Sequence, residues 1–336
     1  MPSNTDFVRL LAALAVAGAG GLPAARAAAA TRWGEPSVVT RAFDSALTTG
    51  SLHGVDFRVL MAGFLQAAQS ESVIERLGLL MPVRRVGFNI PVAREVRPAA
   101  VEWTAQGGKK LVGSMSLEPL KLDVKKIAGA VALTVEALRQ AGPDIERAIA
   151  ASLTSAYAAL EAQSLLSDFP GDEGRPAGLL HGVTPVHATG DTAADFAADV
   201  KSALAGFQGD LSRAVWVTSS ADAIAMATLD VTFTANVSAT GGVLAGVPLI
   251  ATPAAPQGQL ILLDTGALIL AADVPTLDTT TEATIDSVDA DGVVSTLLLW
   301  QMNLLAVLIE RAVNWTFARE NSVAVITGLF ARAATR

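Results

Sequence analysis

Residues 297–328 read LLLWQMNLLAVLIERAVNWTFARENSVAVITG, and the parity of their apolar positions decides the fold. From Leu305 onward Leu305, Val307, Ile309, Val313, Trp315 and Phe317 hold odd positions, while Glu310, Asn314 and Thr316 hold even ones. Successive side chains of a strand point to opposite faces, so a period of two predicts one long strand with a buried face and a wet face. The polar Arg319, Glu320 and Asn321 follow, then a short strand from Ser322 to Thr327 stopped by Gly328. The expectation is an antiparallel pair across a polar turn, laid on a body that is already folded.

The whole chain of 336 residues is long enough for one large core or two, without metals or disulfides to hold it. It has no cysteine, which removes disulfides, thiol catalysis and thiolate metal sites together. His53, His181 and His187 are its only histidines and lack HExxH-type spacing, so no metal site is expected. The 24 basic and 32 acidic residues leave a net charge of -8, which disfavours a protein whose task is to grip a phosphate backbone.

No catalytic or cofactor-binding residue is predicted. Gly18-Ala19-Gly20-Gly21 has the wrong glycine spacing for a dinucleotide turn and no strand before it. Gly107-Gly108-Lys109-Lys110 is not a phosphate loop, because Trp103 stands where the first glycine belongs and no Ser or Thr follows the lysine. A G-x-S-x-G elbow is absent from the sequence. His181 and His187 flank a Gly- and Pro-containing turn and read as surface or capping residues.

The N-terminus supports two readings. Leu10 to Leu22 is apolar and is followed by Pro23 and Ala25-Arg26-Ala27, the outline of an export signal with a small-residue cleavage site. Against that, Asp6 offsets Arg9, and Phe7, Leu10, Leu11 and Leu14 have the spacing of a helix packed on a partner. An alanine-rich helical arm, or a removable assembly segment, over residues 1–32 is the other reading. The stretch is too short and interrupted to span a membrane, and no membrane partner is expected. Residues 33–82 are predicted to form an arm with helices where Phe57, Leu60, Met61, Phe64 and Leu65, then Val73, Ile74, Leu77 and Leu80, recur at helical intervals before Pro82.

Residues 83–124 read as a long hairpin. Val86, Phe88, Ile90 and Val92 lead out, a polar tip spans Trp103 to Lys110, and Leu111, Gly113, Met115 and Leu117 lead back to Leu120, Leu122 and Val124. So long a two-stranded ribbon, with little apolar surface near its end, is marginal in water unless something covers it, and a second subunit is the expected cover. The apolar phase is even up to Val124 and odd from Ile127, which predicts a bulge near Lys125 and Lys126. A short helical turn over Thr134 to Gln140 and a long helix from Pro143 through Leu166 follow, with Ile145, Ile149, Leu153, Tyr157 and Leu160 on one face. Residues 171–182 crowd Gly and Pro into a boundary loop. Beyond it come an amphipathic helix (Asp191 to Gln208), a buried strand (Ala214 to Thr218), a helix capped by Ser219 and running through Leu229, and a glycine turn with a strand (Gly241 to Thr252), together a compact α/β unit. Residues 273–291, rich in Thr and Asp, are expected to be a solvated strand or loop.

Several of these stretches share their wording with one family. The Trp300-Gln301-Met302-Asn303 lead-in, the Ala306 to Arg311 run and the closing Ala324 to Gly328 resemble the last strands of major capsid proteins of tailed bacteriophages, whose fold is the Hong Kong 97-like shell fold. The Ala105 to Lys110 turn with its Ser116 to Leu122 return resembles that family's extension loop. The lysine-rich strand, short helix and long helix after it resemble the spine of its peripheral domain, and Arg175 to Gly182 resembles the link into its axial domain.

The resemblance implies an α+β fold divided into an N-terminal segment (1–32), an arm (33–82), an extension-loop hairpin (83–124), a peripheral domain (125–176 and 268–336) and an axial domain (177–267). It implies a structural protein, not an enzyme, without cofactors, that self-assembles into pentamers and hexamers of an icosahedral head around double-stranded DNA, in the virion, after assembly in the bacterial cytoplasm. Trp103, Lys109, Lys110, Lys125 and Lys126 would then be inter-subunit contacts. Only about thirty residues precede Trp33, so a separate scaffolding protein, or this short segment in its place, is expected, beside portal and head-decoration proteins. In some members a loop lysine attacks a neighbour's asparagine, and Lys109 or Lys110 with Asn303, Asn314 or Asn321, and Glu310 or Glu320 as base, are the residues that would do so here. An encapsulin-like nanocompartment shell, and an exported envelope or binding protein, are the alternative readings.

Overall fold

The computed structural model describes residues 4–17, 20–49, 72–97, 103, 106, 116–140, 143–229, 232–273, 276–280, 282–288, 294–319 and 321–330. The chain divides into two compact units, one of residues 1–71, 127–158 and 274–311, the other of residues 72–126, 159–273 and 312–336.

The first unit is built around its N-terminal helices α1 (Asn4–Ala17), α2 (Gly21–Trp33) and α3 (Val38–Thr49). Phe7, Leu10 and Leu11 with Val8 and Ala12 make α1 apolar on more than one face, and a helix of that kind must be enclosed. All five side chains are fully buried. Ala25 and Ala29, one turn apart on α2, are buried beside it, and their small size lets the helices approach closely. Val39, Ala42 and Phe43 of α3 complete the cluster, joined by Val135, Leu153 and Leu305 from later in the chain. The Arg26 guanidinium reaches Asp44 at 2.9 Å and Glu35, joining α2 to α3 and to the turn between them. The hydrogen bond to Asp44, then that to Glu35, raises its pKa above the usual arginine value.

The helical spacing read at Phe7, Leu10, Leu11 and Leu14 is therefore real, and the partner it packs on is the chain's own body. Nothing in this arrangement supports the export-signal reading. The same unit holds β4 (Lys126–Thr134), α5 (Val135–Gln140) and the first part of α6 (Pro143–Leu165). Two antiparallel pairings complete it: β12 (Thr276–Thr280) on the first half of β15 (Leu304–Phe317), and β13 (Thr284–Val288) on β14 (Val294–Leu298). Within the stretch 273–291, expected to be a solvated strand or loop, the described residues include two strands, Thr276–Thr280 and Thr284–Val288.

The second unit centres on a seven-stranded sheet in the order β5 (Val186–His187), β16 (Val323–Thr327), β10 (Gln259–Asp264), β6 (Ala214–Thr218), β9 (Val247–Ala251), β8 (Gly241–Leu244) and β7 (Asn236–Ser238). All five residues of β6 are buried, as its unbroken apolar run requires of an inner strand. Helix α7 (Ala193–Gly206) packs Phe196, Val200 and Ala203 against Trp216, Leu260 and Ile326. It starts with a capping box between Thr192 and Asp195, and Ser219 caps α8 (Ser220–Ala227). Helix α4 (Val73–Leu80), capped by Ser72, sits against β9, where Arg76 donates to the carbonyls of Ala251 (2.8 Å) and Thr240 (2.6 Å) and burial lowers its pKa. The Ser72 hydroxyl also donates to Glu161, a fully buried carboxylate of α6. Strand β11 (Leu268–Ala272) lies between β1 (Arg84–Arg85) and the second half of β15.

Four local expectations need correction. Strands β15 and β16 do not pair: β15 joins β11 and β12, whereas β16 joins β10 and β5. Asn321, at φ 54°, turns the chain from one sheet into another. The outgoing ribbon strand β2 (Val92–Arg97) begins at Val92, not Val86, because a turn at Phe88 and Asn89 (φ 58°) interrupts the alternation. The phase change at Lys125 and Lys126 is not a bulge but a stretch without ladder pairing, residues 121–125, and the bulge lies in β2 between Glu95 and Arg97. On α6, Leu153 is buried but Leu160 is 42 % exposed, the buried face of the last turns being Ala158, Glu161, Ala162 and Leu165. Residues 57–65 lie outside the described residues. No helix among the described residues is long and apolar enough to cross a membrane.

Candidate assembly surface

Strand β2 pairs antiparallel with β3 (Ser116–Leu120), Val92 opposite Leu120 and Arg97 opposite Ser116, to form a two-stranded ribbon. The root of the ribbon is anchored well. Val92 and Leu122 are buried with Ile269 and Ala271, and Val86, Phe88 and Leu120 pack around them. The Asn89 amide donates to the Leu122 carbonyl at 2.9 Å, and Asn314 Nδ2 donates to the Asp123 carbonyl at 2.8 Å.

Beyond the root the return strand of the ribbon is largely open to solvent. Four of the five residues of β3 are exposed and the fifth is half-buried, although adjacent strand residues point to opposite sides. Leu117 is 50 % exposed, with Ile90 at 55 % and Val124 at 48 % near the root. Trp103 is fully exposed, and a large apolar ring in that state is what a partner's surface is expected to cover. Lys109 and Lys110 lie outside the described residues.

The other two lysines sit differently. Lys125 Nζ donates to the carbonyls of Asp172 (2.9 Å) and Glu173 (2.8 Å), which ties the ribbon's return to the boundary loop of the same chain. Lys126 is exposed at the start of β4. That loop is itself tightly built: Asp172 Oδ1 accepts from the amides of Gly174 (2.8 Å) and Arg175 (2.7 Å), and the Arg175 guanidinium lies 4.3 Å over the Phe169 ring. A Cβ on Gly178 would fall 2.0 Å from the Ser167 carbonyl oxygen, and Trp315 Nε1 closes the link on the Ala177 carbonyl at 2.8 Å. Asn314, Trp315 and Gly178 hold the ribbon root and link in place. Sequence reasoning used them only as strand parity and loop composition, since neither signal reveals a distant carbonyl.

The chemistry available is slight. His181 Nδ1 faces the Asp168 carbonyl at 3.2 Å and His187 Nδ1 the Thr327 hydroxyl at 3.1 Å, so neither lies against a nucleophile–acid pair. Among the described residues no cluster of His, Asp and Glu has the makings of a metal site. Asn303 Nδ2 donates to the Glu136 carboxylate, Asn314 Nδ2 to the Asp123 carbonyl and Asn321 Nδ2 to Gln208 Oε1.

Comparison with known proteins bears on this geometry. The profile of the phage capsid family matches residues 58–295. The capsid polyprotein of Pseudomonas phage PAJU2 is 28 % identical over 323 residues, covering 87 % of this chain and 48 % of that protein. The chain thus spans about half the length of this curated relative. Among solved structures, that of Microbacterium phage Oxtober96 is 16 % identical with a TM-score of 0.53, over 76 % of this chain and 91 % of that one. Mycobacterium phage Adephagia is similar at 12 % identity and a TM-score of 0.52, over 75 % and 89 %. The capsid of a native GTA particle is similar at 13 % and 0.50, over 78 % and 90 %.

Proposed function

Because the chain belongs to the phage capsid family and has the Hong Kong 97-like fold, we propose that it is the structural major capsid protein of a phage head. Its copies assemble into pentamers and hexamers that tile an icosahedral shell around double-stranded DNA. The observation that carries this reading is the ribbon: anchored at its root by Val92 and Leu122, it leaves both faces of β3 to solvent. Two strands alone bury too little to be stable in water, so the ribbon is completed when it lies across a second copy.

Within the shell, Trp103, Lys109 and Lys110 meet the neighbouring subunit. Lys125 acts on its own loop and sets the angle at which the ribbon leaves the body, with Lys126 at the start of the next strand. Residues 83–124 are the extension loop, 125–176 and 268–336 the peripheral domain, 177–267 the axial domain, and 1–82 the N-terminal segment and arm. A separate scaffolding protein, a portal and head-decoration proteins are the other partners in the host cytoplasm. The net charge of -8 suits a wall that contacts DNA without reading its sequence. The nanocompartment and exported-protein readings draw no support from the comparisons.

Electron microscopy and sedimentation of the expressed chain test the proposal. Rings or closed particles are expected. A folded protein that remains a monomer at every concentration, ionic strength and scaffold ratio overturns it.

A further inference from the structure

The end of α6, the link that follows it, the loop between β9 and β10, and strand β16 line a groove of about 490 Å³. Its walls are largely apolar, with Leu180, Pro185, Pro253, Ala254 and Pro256 among them. They are also poor in donors. Proline has no amide hydrogen, and the two other amides of the 253–256 loop are already engaged, Ala254 N on Thr252 Oγ1 at 3.4 Å and Ala255 N on the Thr252 carbonyl at 3.2 Å. The amides of Leu180 and Val183 are spent in the same way, on the carbonyls of Ser167 and Leu180.

Acceptors, by contrast, are in excess. The Gln259 side-chain oxygen is buried and meets no donor of the chain, although the residue itself is firmly held. Its carbonyl accepts from the Thr218 hydroxyl at 2.8 Å, and it stands opposite Thr327 where β10 pairs with β16. A buried acceptor in that state costs free energy until a donor reaches it. Asp168 is the one charged residue among the described residues that line the groove. Its carboxylate makes no hydrogen bond or ion pair among the described residues, and only its main-chain carbonyl is used, by His181.

We propose that this groove is a binding site for a linear aliphatic amine. An ammonium group brings a positive charge and three N–H donors, which answer the Asp168 carboxylate and Gln259 Oε1, and such charge-assisted hydrogen bonds are the strong ones. The methylene chain lies on the proline, alanine and leucine surface, as the stem of a lysine does on apolar ground. Other ligand classes match only half of the site. A neutral alcohol of the same length leaves the carboxylate uncompensated, a small inorganic cation leaves the apolar wall in water, and an anion is repelled by Asp168. Every lining residue belongs to one compact unit of one chain, so the site does not depend on the assembly of copies.

Calorimetric titration of the whole unassembled chain tests this, with butane-1,4-diamine as the probe, butane-1,4-diol as its neutral counterpart and sodium chloride at matched ionic strength as the control. One saturable site for the diamine and none for the diol is expected, with a melting temperature that rises with diamine concentration beyond any effect of the salt. Asp168→Asn and Gln259→Leu should each weaken binding by about tenfold, and melting without ligand serves as the folding control. Because the Asp168 carboxylate bonds nothing among the described residues, Asp168→Asn remains a fair test even if Gln259→Leu disturbs β10. Diamine binding no tighter than that of sodium, equal binding of the diol, or unchanged affinity in Asp168→Asn overturns the inference. Binding of N-acetyl-lysine amide without binding of the diamine assigns the groove to a protein side chain and overturns it as well. A chain that binds the diamine but never forms particles removes the shell reading alone, and one that forms particles without binding the diamine removes this inference alone.

Discussion

Strands β6 and β3 are each five residues long, yet every residue of β6 is buried while four of five in β3 are exposed. Strand β6 lies between β10 and β9 with helices against it, so the chain itself satisfies its backbone groups and covers its side chains. Among the described residues strand β3 pairs only with β2, and of its five side chains Leu120 alone, at the ribbon root, is partly covered. The difference separates what one molecule stabilises from what only an assembly stabilises. Substitutions in the completed region are expected to act on folding, and substitutions on the ribbon to act on association.

The largest effect on folding is expected at Gly178→Ala, where the new methyl group would meet the Ser167 carbonyl oxygen at 2.0 Å. Neither backbone can yield without opening the link held by Trp315, so we expect a loss of about 4 kcal/mol or failure to fold, read by thermal melting. Next comes Asp264→Ala. The Asp264 carboxylate, 1 % exposed, accepts from the amides of Asp210, Gly266 and Ala267. Removing the acceptor of the Asp210 and Gly266 amides, and one of the two oxygens available to the Ala267 amide, should cost about 2 kcal/mol in urea unfolding.

Leu117→Ser sharpens the contrast from the other side. At 50 % exposure it should change the stability of the monomer by less than about 0.5 kcal/mol while impairing particle formation. A loss of stability similar to that of the core variants would mean that the ribbon is folded back and covered by its own chain.

The smallest effect is expected at Asp210, whose pKa is lowered chiefly by the Ser212 hydroxyl, then by the Ser212 amide. A depressed carboxylate contributes stability that is present above its unfolded pKa and lost as pH falls through the folded one. Asp210→Asn keeps the cap but removes this dependence, so its melting temperature should lie slightly below wild type near neutral pH, and the gap should narrow as pH falls below the usual carboxylate range.

Local signals were legible where neighbours in sequence are neighbours in space. The parity of Leu305 to Phe317 marks a strand observed over Leu304–Phe317, and Ser219, placed before an apolar run, marks the start of α8. The ribbon as an unfinished element was also legible, because two strands with a polar tip cannot bury themselves. Less was visible at Lys125: a lysine beside a change of phase looks like a solvated contact, and its bonds to Asp172 and Glu173 reach across about fifty residues of chain. Trp300 entered the reading as a strand lead-in, since nothing in its neighbours announces that it stands in solvent.

Burial patterns along each segment follow from the order of residues, because the pleat and the helical turn convert spacing into faces without help from the rest of the molecule. The choice of partner for each face does not. Strand β16 has the pattern of a strand able to lie beside β15, yet it pairs with β10 and β5, and α1 has the pattern of an export signal, yet it is enclosed by α2 and α3. Both outcomes depend on contacts between residues far apart in the chain, whose favourable burial appears only once the surrounding layers have come together.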